Sequence, residues 1–563
     1  MNVEKDIETI ALPISLDEIA QKTLNHLRWL VSFDTQSDER STSIPSTTGQ
    51  SILIEELAKF FASLGVETTI DSNQNLLVTI PTSMRSESAP PIALMAHVDT
   101  SIGTEAIAQV CEVPHWDGTS LAFPANPALV VDAVRYPHIE GLIGQTIIHG
   151  PGRAPFGLDN KAGLSELMTL AELLVTYPEI PRGEVVLGFR PDEEIGRHEA
   201  VVSLAEKLAE RKIRFGWTID GSTPFEINTS NFNAARADVV LKTEPLQLPP
   251  CPYAQELTIE IVGVDTHGAT AHEEGYLNAA IVFARVFERL DLTQGILPVE
   301  FDRTKGKETT GHLKVVVFGD DAAVVAEGIK RLLTALELEI RDHRWKGAGF
   351  SVLETRSVDL VDPAQSPRYD DGACAVAVHL SALLQMSSVS PLLSEESSGN
   401  QGYTNPHWVS RTSEGMIVRY RLRDFVPQFL TRRGEDLRRI CERFGGDLTI
   451  SQQYIDMGPR LKEAPELTEL PLKAFELLKE FTQFKAFECP IRGGTGVDGF
   501  SERGVLIGNI GAGYYFLESA KELTSRELLG LHTAWLVNLV QTIAAAGARC
   551  SSGINPPIHS ADT

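Results

Sequence analysis

Residues 92–100 read IALMAHVDT, an apolar run of strand composition that ends in His97 and Asp99. Side chains alternate along a strand, so residues i and i+2 point the same way and an imidazole and a carboxylate leave one strand end together. NLLVTI, EVVLGFR and RFGWTID have the same strand character, and the last two lead into Glu193 and Glu194 of PDEEIG and Asp220 of TIDG. KAGLSELMTLAELLVTY lies among them with helical spacing, placing Leu164, Leu167, Leu170 and Leu173 on or near one face. Buried strands separated by helices restrict this part of the chain to an α/β fold with a mixed, mostly parallel sheet between helices. Sites in such sheets sit at the carboxyl ends of strands, where His97, Asp99 and Asp220 fall.

A chain of 563 residues is too long for one core. Helical spacing over 16–33 and 48–64 precedes the first strands, and from about 251 the texture changes. ELTIEIVGV, LKVVVFGD, GFSVLETRSVDL, GMIVRYRLRDF and DLTISQQY read as strands, with helices between them. After 456 a helix, the run GVLIGNI and a closing helix from about 524 return to the earlier pattern. The expected division is therefore a discontinuous catalytic domain, 1–250 and 456–563, with an inserted α/β sandwich lid at 251–455. The repeated strand–helix order inside the insertion reads either as two tandem units, about 251–348 and 349–455, or as chance similarity of two α/β segments. Ser387–Ser413, rich in Ser, Asn, Gly and Pro, is expected to be a long loop.

Fifty Lys and Arg against 76 Asp and Glu give a formal net charge of −26. Such a field repels phosphate backbones and anionic membranes, so nucleic-acid and membrane partners are not expected. MNVEKDIETIALPIS lacks the basic start and apolar stretch of a signal peptide, and LHTAWLVNLVQTIAAAGA reads as a core helix interrupted by His532, Asn538 and Gln541. The six cysteines are scattered without a CxxC pair. That suits free thiols in a reducing cytoplasm.

The acidic series carries the chemistry. His97 offers a ring nitrogen to a metal, and Asp99 is placed to accept the other ring N–H. Asp159 stands in the glycine-punctuated GLDNKAG just before a helix, from where a carboxylate can bridge two cations. Glu193 and Glu194 are adjacent and cannot share one direction, so one can bind metal while the other faces substrate as a base. Two carboxylates about 4 Å apart repel by roughly 4 kcal/mol at an effective dielectric of 20. Gathering four or five of them calls for a bound cation. A zinc ion would also bring the pKa of bound water down to about 7. Taken singly, each residue has an ordinary alternative; an Asp before Gly is usually a turn or a cap.

The chain resembles the peptidase T group of the cocatalytic zinc exopeptidases, which also include carnosinases and acyl-amino-acid deacylases. The matching stretches are AHVDTS, IGQTI, GLDNKAGLSELMTLAELL, PDEEIG, TIDG, NFNAA, THGATA, RDF and CPIRGGTG, in order along nearly the whole length. The resemblance implies two zinc ions: His97, Asp159 and Asp220 hold the first, Asp159 bridges, and Glu194 binds the second. It implies Glu193 as general base and Asp99 as the partner of His97. It also implies His267 as a carbonyl-polarising group, with Arg423 and Arg492 binding a peptide carboxylate; without it these three read as ordinary surface or salt-bridging side chains.

The pattern breaks near the end. Where a histidine is expected to bind the second zinc, the sequence reads GYYFLESAKEL, and alignment from the C-terminal side puts Lys521 at that position. Alignment from the upstream Gly-Tyr puts Ala520 there, and His532 lies about three turns further on. Lys521 then stands in as a cation, or Glu518 or Glu522 replaces the ligand, or the second site is lost and one metal remains. RGGTGVDG is longer than the expected RGGTDG, which displaces Asp498. The implied function is a metal-dependent aminopeptidase on short, tripeptide-like substrates. The alternatives are a degenerate homologue that binds peptide or metal without efficient turnover and an amidohydrolase on N-acyl amino acids. A doubled lid implies a monomer with a pseudo-dimeric lid; a single lid implies a homodimer formed through it.

Overall fold

The computed structural model describes residues 12–84, 89–262, 272, 277–302, 310–343, 349–361, 366–494 and 496–551. The chain divides into two units, 1–231 with 456–563, and 232–455.

The first unit is built on an eight-stranded sheet. Its centre is four parallel strands in the spatial order Val185–Arg190, Ile92–His97, Phe215–Gly221 and Leu506–Gly511. Ile92–His97 and Val185–Arg190 are buried at every position, as parallel strands covered on both faces must be. Leu76–Ile80 and Glu67–Ile70 extend one edge antiparallel, while Glu226–Asn228 and Phe487–Glu488 extend the other. The late strand Leu506–Gly511 thus completes a sheet begun some 400 residues earlier in the sequence, roughly 1,400 Å of extended chain. Helix Leu158–Thr176 is buried almost all round, which its leucine-rich sequence permits. It approaches Phe215–Gly221 so closely that a Cβ on Gly163 would lie 2.2 Å from the Ile219 carbonyl oxygen. Only glycine allows that approach, which brings the start of the helix beside Asp220.

Among the described residues one helix, Arg526–Gly547, is long and apolar enough to cross a membrane by length and composition, and residues 528–544 of it are all buried inside the protein. It packs on Leu16–Leu30 and Leu158–Thr176 as a core helix, with His532 stacked on Phe225 at 4.2 Å.

The second unit contains two four-stranded antiparallel sheets. One is made by Ala254–Val262, helix Ala279–Arg289, strands Ile296–Asp302 and Thr310–Phe318, helix Ala322–His343 and strand Gly349–Val358. The other is made by Asn233–Leu241, helix Gly372–Met386, strands Tyr403–Thr412 and Gly415–Asp424, helix Pro427–Phe444 and strand Asp447–Tyr454. Each is strand–helix–strand–strand–helix–strand, and in each sheet the spatial order is second, third, first, fourth. The first half is inserted after the first strand of the second half. Where the insertion leaves and returns, Leu246 N–H donates to Tyr369 O (2.9 Å) and Asp371 N–H to Glu244 O (3.1 Å).

This arrangement differs from the division drawn from sequence. The unit begins at Phe232 instead of 251, because Asn233–Leu241 pairs with Gly415–Asp424 and Asp447–Tyr454. Gly349–Val358 pairs with Ala254–Val262 and so closes the first half instead of opening the second. The stretch expected to be one long loop contains the strand Tyr403–Thr412, whose partner Gly415–Asp424 supplies its hydrogen bonds.

Candidate metal centre

Strand Ile92–His97 ends at His97, which is 1% exposed, with Asp99 two residues on and fully buried. His97 Nδ1 lies 3.0 Å from the Asp99 carbonyl oxygen. A carbonyl only accepts, so Nδ1 donates to it and Nε2 is the ring nitrogen left to face outward. Nε2 meets Asp159 Oδ1 at 2.8 Å and Asp220 Oδ1 at 3.1 Å. The sequence expectation that Asp99 serves His97 is only part of its role. Its Oδ1 is 3.3 Å from His97 Nδ1, and its two carboxylate oxygens accept from the N–H groups of Glu193 (2.9 Å) and Glu194 (3.1 Å). One buried carboxylate therefore ties the end of Ile92–His97 to the turn after Val185–Arg190.

That turn is held from below. Asp192 is fully buried at φ +55°, a left-handed conformation uncommon for a residue other than glycine. Its carboxylate accepts from Ser46 N–H (2.8 Å), Ser46 Oγ–H (2.5 Å) and the Gln50 side-chain amide (2.7 Å), and its own N–H donates to Gln50 Oε1 (3.0 Å). Glu193 Oε1 accepts from Arg190 Nη2 at 3.2 Å, while Glu194 Oε1 is buried without a hydrogen-bond partner among the described residues. Adjacent glutamates thus have separate environments.

Asp159 lies at the start of Leu158–Thr176, off helical geometry, and the Asp159–Asn160 peptide is cis. Asn160 donates to Asp220 Oδ1 at 2.8 Å, and Asn509 Oδ1 accepts the Asp220 N–H at 3.1 Å. The donor atoms of His97, Asp159 and Glu194 all lie within 4.8 Å of one another.

The electrostatics report crowding. Burial works against a charged His97, but Asp220, Asp159 and Asp99 outweigh it and hold the imidazole well above its ordinary range. Burial pushes Asp159 and Glu193 up to about 7, against the pull of His97 on both and of Arg190 on Glu193. Burial, then Glu518 and Asp159, raises Glu194 well above the carboxylate range. A bound cation reverses such shifts. One ring nitrogen, converging carboxylate oxygens and an unpartnered buried oxygen fit a divalent metal ion.

Lys521 is buried with its ammonium over the rings of Tyr136 (5.2 Å) and Phe516 (5.1 Å). Glu522 is also buried and caps backbone, accepting from Gly157 N–H (2.7 Å), Leu158 N–H (3.2 Å) and Glu518 N–H (2.6 Å). His532 donates from Nδ1 to the Gly511 carbonyl within the core. Arg492 is half-buried just after the Asn231–Ile491 bridge. In the second unit, Arg423 Nη1 donates to the carbonyls of Ala235 (3.3 Å) and Leu422 (3.0 Å), and its guanidinium lies over Tyr454. His267 lies outside the described residues. Asp192, Arg190 and Asn160 were not singled out from the sequence. Asp192 stands directly before the glutamates, but its partners Ser46 and Gln50 lie more than 140 residues away.

No protein-family model matches the chain. Peptidase T of Clostridium novyi (strain NT) is 30% identical over 309 residues, 53% of this chain and 74% of that protein. Peptidase T of Macrococcus caseolyticus (strain JCSC5402) is 36% identical over 222 residues, 39% of this chain and 52% of that protein. Among solved structures, aminoacylhistidine dipeptidase from Vibrio alginolyticus shares the fold, with a TM-score of 0.55 at 14% identity over 95% of this chain and 97% of that one. At that identity over three quarters of the Clostridium novyi protein, the chain belongs to the peptidase T family.

Proposed function

We propose that the protein is a metal-dependent exopeptidase, an aminopeptidase of short, tripeptide-like substrates, with Glu193 as its general base. The observation that carries this reading is the convergence of His97, Asp159, Asp220 and Glu194 beside a separately held Glu193, in a chain of this family. His97, Asp159 and Asp220 would hold one cation and Asp159 with Glu194 a second, zinc being the ion that the resemblance implies. Cations bound there supply Lewis-acid polarisation of the scissile carbonyl and make hydroxide available near neutral pH.

The chain's own residues do the rest. Glu193 takes the proton of the attacking water and delivers it to the leaving amine nitrogen, so the C–N bond breaks as a new C–O bond forms. Arg190, at 3.2 Å, holds the Glu193 carboxylate, and Asp99 fixes the backbone from which Glu193 and Glu194 diverge. Arg492 is proposed to bind the carboxylate end of the peptide, a task suited to a planar guanidinium.

A second reading, a degenerate homologue, draws on the lysine at the place of the expected histidine. The deciding experiment pairs metal analysis with a panel of free tripeptides, dipeptides and N-acyl amino acids. Release of the N-terminal residue from tripeptides, lowered about 10²- to 10⁴-fold in Glu193→Gln with unchanged metal content, is expected. Metal-loaded protein inert on every free peptide sinks the aminopeptidase reading, and activity confined to N-acyl substrates replaces it with an amidohydrolase.

A further inference from the structure

Strand Leu506–Gly511 runs parallel to Phe215–Gly221, and their pairing passes from Ile510 with Ile219 to Gly511 with Gly221, skipping Asp220. Such an irregularity re-aims the side chain at which it falls, here a residue whose carboxylate meets His97 Nε2. The Asp220 N–H donates to a side chain, Asn509 Oδ1, at 3.1 Å. Asn509 is fully buried, and its Nδ2 donates at 2.7 Å to Oδ1 of Asn228, its cross-strand neighbour in Glu226–Asn228.

Asn228, also fully buried, continues the chain of bonds. Its Nδ2 donates to the Cys489 carbonyl at 2.9 Å and to Glu226 Oε2 at 3.3 Å. Cys489 is fixed by its own groups as well: its N–H donates to the Ile227 carbonyl at 3.0 Å and its thiol to Glu226 Oε2 at 3.3 Å. Two residues on, Ile491 N–H donates to the Ser230 carbonyl at 2.9 Å, and Arg492 follows. Both ends of this chain of bonds are backbone groups, a donor at Asp220 and an acceptor at Cys489. Each amide therefore has one allowed orientation, and all the donors point from Asp220 towards Cys489. Hydrogen bonds aligned head to tail polarise one another, so a buried series with every member satisfied holds its ends more firmly than separate bonds would.

Resting on the metallopeptidase reading above, we propose that Asn509 and Asn228 are positioning residues that tie Asp220 to Cys489, at the root of the segment bearing Arg492. One end of the series sets the backbone from which the Asp220 carboxylate reaches the His97 half of the centre. The other end sets the backbone that carries the guanidinium assigned to the peptide carboxylate. The two asparagines that meet Asp220 have different tasks: Asn160 holds its carboxylate at 2.8 Å, whereas Asn509 holds its main chain.

The test is calorimetric titration of the full-length apo protein with Zn²⁺ alone, paired with steady-state kinetics on a tripeptide and on its C-terminal amide. Asn509→Leu is expected to weaken Zn²⁺ binding about 10- to 100-fold, the usual cost of losing a group that orients a metal ligand. Asn228→Leu, which removes no bond to Asp220, should weaken it about tenfold. The double variant should bind Zn²⁺ no more weakly than Asn509→Leu alone, as members of one series require. Asn228→Leu should also raise KM for the tripeptide about fivefold or more and leave KM for the amide within about twofold. Asn509→Asp keeps an oxygen for the Asp220 N–H and loses the donor to Asn228. It should hold Zn²⁺ affinity within about threefold and still raise the tripeptide KM. That split decides the matter if the leucine variants fold poorly, and an unchanged tripeptide KM in Asn509→Asp overturns the proposal. Zn²⁺ affinity intact in Asn509→Leu, additive losses in the double variant, or equal KM effects on tripeptide and amide overturn it too, whatever the change in melting temperature. Wild type that binds Zn²⁺ but cleaves neither peptide overturns the exopeptidase reading alone, and the Zn²⁺ titrations still decide the role of the asparagines. Wild type that binds no Zn²⁺ overturns both.

Discussion

Asp192 shows how one residue sets up a pair of others. Its carboxylate is saturated by Ser46 and Gln50, and its left-handed backbone turns the chain so that Glu193 and Glu194 leave in different directions. Removing the clamp lets the turn relax without touching a donor atom of the metal centre. Asp192→Ala is expected to lower kcat about 10²-fold, the effect of a roughly 1 Å misplacement, with KM changed far less. Asp192→Asn, which keeps an acceptor for Ser46, should recover part of the loss. A fall in thermal stability with kcat intact would show that the clamp is structural only. The residues of the centre were legible in the sequence because each stands in a short stretch of strand-end or turn character. The clamp was not, since nothing local in PDEE announces partners at 46 and 50.

At the scale of elements, helix Leu158–Thr176 carries an ionisable group in the wrong solvent. Glu166 is fully buried, and neither of its carboxylate oxygens has a hydrogen-bond partner among the described residues. Burial raises its pKa well above the ordinary carboxylate value, so it folds as a neutral acid. Between its unfolded pKa, about 4.3, and its raised folded value, the native state binds more protons than the unfolded one. Stability therefore falls as pH rises through that window. Glu166→Gln lacks this loss, and its melting temperature should exceed that of wild type by a margin that widens between pH 5 and pH 8. A margin independent of pH would mean that Glu166 is ionised or solvated in the native state. The helix itself was readable from its leucine spacing. The closing helix, equally apolar, was readable as a core element and is one.

At the scale of the molecule, the second unit repeats one topology twice, and its halves share a core. Residues from both halves, among them Leu257, Phe283, Val376 and Val418, belong to one buried cluster. The edge strands Ile296–Asp302 and Tyr403–Thr412 lie side by side, and helix Gly372–Met386 reaches the first half through Cys374 Sγ to the Pro298 carbonyl (3.4 Å). We propose that such a pairing inside one chain takes the place of a pairing between two separate lids. The expected outcome in analytical ultracentrifugation is one species near 61.6 kDa across a hundredfold range of concentration. A dimer that persists on dilution and is broken by substitutions in the second unit would remove the idea of an internal dimer.

The α/β order and the strand ends that bear His97 and Asp220 were settled by residues close together in sequence, where period and turn chemistry are written locally. The nesting of one half inside the other was not. Asn233–Leu241 takes its place only through hydrogen bonds to strands about 180 and 210 residues later, and a strand says nothing of its neighbours until they arrive. The double duty of Asp99 and the left-handed turn that carries Glu518 were likewise decided by tertiary contact. Each depends on backbone N–H groups that the fold delivers from far along the chain, those of Glu193 and Glu194 to Asp99 and those of Gly157 and Leu158 to Glu522.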